Sequence, residues 1–122
     1  MWLVSTLALA ASPCDTRATR KLLREAAAAD GDAAARTLLD TRAECAAEWV
    51  VDVVGDPARR GAAELVVARL DTLPEELAVA AATAGVRGPH AALFEPALWS
   101  SGRARLRAVL AADAPPESAG GL

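Results

Sequence analysis

The sequence predicts an all-α fold of about six helices, arranged as three stacked helical hairpins in a short α-solenoid or small helical bundle. Three observations carry this prediction. Apolar residues recur at three- and four-residue spacing through most of the chain. Glycine and proline gather at a few junctions that cut the pattern into helix-sized pieces. No β-branched run alternates long enough to make a strand. A single hairpin is too thin to bury its own apolar face, so the three must stack.

The chain opens on Trp2 to Ala11, ten uncharged residues. A membrane-spanning helix needs about 20, so this segment does not span a bilayer. It has the character of the apolar part of a secretory signal, with Ala8-Leu9-Ala10 as an A-x-A cleavage site, although no Lys or Arg precedes it. The expected organisation is a signal over residues 1–11, cut near 10–13, an all-α domain over 12–113 and a C-terminal tail over 114–122. The alternative is an apolar first element packed into the core. Cys14 adds a secondary option, a lipid anchor, but the preceding Ala11-Ser12-Pro13 departs from a lipoprotein cleavage box, above all at Pro13.

The helices follow in order. The first is predicted from Asp15 to Ala29, with Asp15 or Thr16 as N-cap and Ala18, Leu22, Ala26 and Ala29 inward. Its other face carries Arg17, Arg20, Lys21 and Arg24, a solvated basic stripe. Asp30-Gly31 makes the turn. Asp32 to Val54 contains no Gly or Pro and reads as one long central helix, with Leu38, Cys45, Trp49 and Val53 on its apolar face. Gly55 ends it, and Asp56-Pro57 starts a third helix running to Leu70, with Arg59 outward. Thr72-x-x-Glu75 matches a capping box for a fourth, Pro74 to Thr83. After a loop over Ala84 to Pro89 come a fifth, His90 to Trp99, and a sixth, Arg103 to Ala112, capped by Ser100 or Ser101.

The two cysteines fit a staple. In an antiparallel hairpin, residues equidistant from the turn lie opposite one another. Cys14 stands about 16 residues before the Asp30-Gly31 turn and Cys45 about 14 after it, a mismatch of ~3 Å at 1.5 Å per residue. A Cys14–Cys45 disulfide is therefore expected, which with a signal-like start places the chain outside the cytoplasm, in a periplasm or at a cell surface. The alternative is a reduced, buried Cys45 and an incidental Cys14.

Composition excludes several function classes. With 13 basic and 16 acidic residues the charge is −3, too small and mixed for a nucleic-acid footprint. The chain has 32 Ala, 12 Arg and one Lys, and no Ile, Asn or Gln, the bias of a GC-rich genome. One His and two well-separated Cys cannot make an ordinary zinc site. His90 near Ser100, Ser101 and Glu95 has no nucleophile-elbow frame around it and reads as a surface residue. No phosphate loop or haem motif occurs. The acid pairs Glu44/Glu48 and Glu75/Glu76 read as solvated charge. No catalytic, cofactor-binding or metal-binding residues are assigned; the remote alternative is an enzyme using His90 with its neighbouring acids.

Gly55-Asp56-Pro57-Ala58-Arg59-Arg60-Gly61-Ala62-Ala63-Glu64-Leu65 resembles the first helix of a bacterial HEAT-like repeat, with Asp-Pro at the turn, a following Arg, a small-residue pair and Leu. Asp30 to Leu39 is a looser echo about 24 residues upstream. The resemblance covers about a third of the chain and implies protein–protein scaffolding without catalysis. The bulkiest apolar cluster, Ala92 to Trp99, supplies the candidate interaction surface: Phe94, Leu98 and Trp99. If buried, the same cluster simply caps the core.

Overall fold

A computed structural model describes residues 13–112 of the chain; the expected signal over 1–11 and tail over 114–122 lie outside the described residues. Among the described residues there are seven α-helices and no strands: α1 Arg17–Ala27, α2 Asp32–Thr41, α3 Ala47–Val54, α4 Arg60–Val67, α5 Glu75–Val86, α6 Ala91–Trp99 and α7 Ala104–Ala112. Short 3-10 turns at Pro13–Asp15 and Ala43–Cys45 precede α1 and α3.

The helices pair as hairpins α1–α2, α3–α4 and α5–α6, and α7 packs on both α5 and α6. The odd helices α1, α3, α5 and α7 also pack on one another in succession, as do the even helices α2, α4 and α6. This is two layers of stacked hairpins, and equivalent helices begin at Arg17, Ala47, Glu75 and Ala104, roughly 30 residues apart. The core runs between the layers. Leu38, Val50, Val54, Val66, Phe94, Leu98 and Leu106 are fully buried, with alanines 26, 35, 46, 62, 78, 81 and 82 filling the close approaches between helices.

The expected long helix from Asp32 to Val54 is broken. At Arg42 the backbone leaves helical geometry (φ −142°, ψ 45°), and a 3-10 turn carries the chain into α3. The hydroxyls of Thr37 and Thr41 donate back to the carbonyls of Ala33 and Thr37, which loosens the helix ahead of the break. An unbroken helix would pack its first half on α1 and leave its second half out of reach of α4 and α5. The break folds α3 into the next hairpin.

Other boundaries shift for identifiable reasons. Thr16 is the N-cap of α1, its Oγ1 accepting from the Thr19 amide at 3.1 Å. Helix α1 is shorter than expected, and Ala18 and Ala29 are exposed rather than inward. Asp56-Pro57 forms a turn in which the Asp56 carboxylate accepts from the Ala58 amide at 2.9 Å, and α4 starts only at Arg60. The capping box at Thr72 does not form, because the Thr72 hydroxyl donates back to the Arg69 carbonyl. Helix α5 runs through the expected loop to Val86, since Gly85 offers the Phe94 ring a seat on bare backbone: a Cβ there would stand 2.5 Å from the ring. Pro96 sits inside α6 on its exposed side and does not interrupt it.

Cys14 and Cys45 lie at disulfide distance, with Cα atoms 5.4 Å apart, and are joined. A lipid thioether on Cys14 would need the sulfur that Cys45 holds.

Two outcomes are expected. Reducing the Cys14–Cys45 bond, which closes a 31-residue separation, costs about 3 kcal/mol and lowers the melting temperature by roughly 10 °C or more. The oxidised chain weighs two hydrogens less by mass spectrometry, and free thiols at both positions would contradict the staple. Gly85→Ala gains helix propensity of about 1 kcal/mol but must displace Phe94, for a net loss of about 1–2 kcal/mol by denaturant titration.

Candidate functional site

The residues that bear chemistry in this chain divide into those spent on holding helix ends together and those left at the surface. Trp49 belongs to the first group. It is buried as its apolar spacing predicts, and its Nε1–H donates to the Ala26 carbonyl at 2.8 Å. Arg59, expected to point outward, is also buried. Its guanidinium donates to the carbonyls of Ala26 at 2.9 Å and Ala27 at 3.1 Å. Both side chains therefore serve the C-terminal end of α1, whose last carbonyls have no partner within the helix. Arg59 achieves this with a non-helical backbone (φ −108°, ψ 46°), which is why α4 begins one residue later.

Gly31 completes this corner. A Cβ at this position would overlap the Glu25 carbonyl oxygen, so only glycine lets the turn after α1 close this tightly.

His90 is not a surface residue. It is 5% exposed, and its Nε2–H donates to the Asp56 carbonyl at 2.8 Å, tying the start of α6 to the turn after α3. The Ser100 hydroxyl donates to the Pro96 carbonyl, and the buried Ser101 hydroxyl donates to Asp71 at 2.5 Å while accepting from the Arg103 amide. None of these groups is hydrogen-bonded to His90, and Glu95 is exposed, so no acyl-transfer relay is assembled. Among the described residues, no three His, Cys, Asp or Glu side chains converge on a metal-sized site.

Charge pairs link equivalent helices. Arg69 on the α4 side bonds Asp40 of α2 at 2.7 Å, and this hydrogen bond, with the nearby positive charge, holds the Asp40 carboxyl below its ordinary range. Arg105 of α7 grips Glu75 and Glu76 of α5 at 3.0 and 2.6 Å. The same hydrogen bond lowers Glu76, and the two carboxylates push the guanidinium up. The Glu75/Glu76 pair is therefore a helix clamp, while Glu44 and Glu48 are exposed as expected.

The candidate interaction residues separate. Phe94 and Leu98 are fully buried and are not surface residues, because both stand on the side of α6 that faces the core against α5. Trp99 is 69% exposed at the end of α6. With Ala92 and Pro96, also exposed, it shares one face of the helix at spacings of four and three residues. Sequence spacing placed Trp99 beside its buried neighbours; only the helix phase separates them.

Among the described residues, no helix is long and apolar enough to cross a membrane. No family model, curated protein or solved structure matches the chain.

One outcome tests the corner. Trp49→Phe keeps an aromatic ring but loses the pyrrole half and its N–H to the Ala26 carbonyl, costing about 2–3 kcal/mol, and Arg59→Met costs about 2–3 kcal/mol because two carbonyls lose charged donors. The two losses are non-additive in a double-mutant cycle read by urea titration, since both act on Ala26.

Proposed function

We propose that this chain is a non-catalytic, exported helical-hairpin module that binds another protein, with Trp99 as its anchor. The observation that carries the reading is Trp99 itself: an indole 69% exposed in a chain whose other described aromatics, Trp49 and Phe94, are buried. A large exposed aromatic on a helix face that it shares with Ala92, Pro96 and a single charge, Glu95, is the pattern of an interface anchor. The stacked hairpins and their roughly 30-residue spacing support a HEAT-like kinship and the scaffolding role it implies. The Cys14–Cys45 pair supports export to an oxidising compartment, the periplasm or cell surface.

A second reading, a bundle with only a structural role, is favoured by the burial of Phe94 and Leu98. One substitution separates the two. Trp99→Ala leaves the melting temperature within roughly 1–2 °C, because an exposed side chain contributes little packing. Capture from the native host's envelope fraction, with wild-type and variant chains side by side, tests the anchor. The interaction reading expects a partner retained by the wild type and weakened at least about 30-fold by the variant. A partner held equally by both chains would overturn Trp99 as anchor.

A further inference from the structure

The outer face of the odd-numbered layer carries two charged stripes side by side. On α1, Arg17, Arg20, Lys21 and Arg24 are all exposed and lie on the side opposite the buried Thr19 and Ala26. On the neighbouring α3, Glu48 and Asp52 are exposed opposite the buried Val50 and Val54, and Glu44 extends the same four-residue spacing into the 3-10 turn. The two stripes do not neutralise each other. Among the described residues, Arg17, Arg20, Arg24, Glu44, Glu48 and Asp52 make no ion pair, whereas Arg60, Arg69 and Arg105 find carboxylates. Lys21 meets Glu25 of its own helix at 4.0 Å.

On the α1 side of the acidic stripe runs a groove of about 340 Å³, lined by Leu23, Ala47 and Trp49, by the Cys14–Cys45 pair, and by Glu44 and Glu48 of the stripe itself. Val51, 47% exposed, stands on the α3 side among the acidic residues. The exposed Val and the apolar part of the groove are surface that water covers poorly.

We propose that this face is a two-fold interface with a second copy of the chain. A surface bearing one basic and one acidic stripe in parallel is self-complementary under a two-fold axis that runs along the groove. Such an axis lays α1 of one copy over α3 of the other, and α3 over α1, so both stripes are paired at once. The Val51 side chains and the groove are covered in the same step. Charge complementarity selects this occupant: an anionic surface would satisfy α1 alone and would be repelled by Glu44, Glu48 and Asp52. Trp99 lies on the even layer and is left open.

The test uses charge reversal on exposed positions of the full chain. Sedimentation equilibrium at chain concentrations up to about 1 mM is expected to show a monomer–dimer equilibrium for the wild type. Raising salt from about 0.1 M to about 1 M shortens the Debye length from ~10 to ~3 Å and weakens the dimer at least tenfold. Arg17→Glu, Arg20→Glu and Arg24→Glu together leave only Lys21 positive and make both stripes net acidic, and Glu44→Arg, Glu48→Arg and Asp52→Arg together make both basic. Each triple variant alone is expected to be monomeric, with unchanged circular dichroism. Mixing the two restores both stripe pairings and is expected to return a heterodimer. A wild type that stays monomeric throughout overturns the proposal, as does a dimer insensitive to salt and reversal or a mixture that fails to associate. Binding of the monomeric wild type to anionic phosphatidylglycerol vesicles, lost in the acidic triple variant, would assign the basic stripe to lipid instead. Should a triple variant misfold, the salt dependence of the wild type still decides.

Discussion

A helix of 8 to 12 residues, the length found throughout this chain, is mostly ends. Its last four carbonyls have no partner inside the helix, and where the chain turns inward they have no water either. Leaving one such group buried and unpaired costs about 1–3 kcal/mol, as much as a well-packed side chain contributes. At three corners the fold meets this cost by reaching across from the next hairpin, while other carbonyls are met by donors nearby in the chain. The end of α1 receives the Trp49 indole and the Arg59 guanidinium. The Asp56 carbonyl after α3 receives His90, and the Leu70 carbonyl after α4 receives Arg103 at 3.2 Å. Donor and acceptor stand about one hairpin apart each time, so the polar contacts enforce the stacking register that the apolar core alone would leave loose.

That division of labour explains how so few large side chains suffice. Alanine at the helix contacts lets backbones approach closely but contributes little apolar area per residue, so uniqueness must come from elsewhere. Part of it comes from single tight fits, of which the Phe94 ring on bare Gly85 is the clearest. Part comes from the staple. Among the described residues no hairpin stacks ahead of α1, and Cys14–Cys45 ties the segment before α1 to the turn before α3, where a preceding neighbour would otherwise restrain it.

The sequence states apolar phase clearly and polar destination poorly. Trp49 was legible as a core residue from its spacing to Cys45 and Val53, and the cysteine pair was legible from the symmetry of the Asp30-Gly31 turn. What Trp49 donates to was not, because the Ala26 carbonyl is a property of where α1 stops. Arg59 and His90 misled for the same reason: a charged or polar side chain reads as outward unless the acceptor awaiting it is known. The break at Arg42 was hidden because no Gly or Pro marks it, and tertiary packing overrides local propensity there. Phe94 and Trp99 are both bulky and apolar and differ only in helix phase.

The same polar bookkeeping bears on function. Twelve arginines in so short a chain invite an electrostatic reading, yet most are occupied. Arg59 and Arg103 hold buried carbonyls, Arg107 donates to the Ser101 carbonyl, and Arg69 and Arg105 clamp carboxylates on neighbouring helices. Cations engaged in this way are fixed in direction, and Arg69 and Arg105 are also neutralised by the carboxylates they hold, so they add little to the field a ligand would feel. The cations of α1 differ, since they are exposed and three of the four lack a carboxylate partner. Among the described residues, the largest group of exposed unpaired cations therefore stands on the odd layer beside α3, and the exposed indole of Trp99 on the even layer. The packed core separates the two, so a change of charge on one leaves the other's surroundings intact.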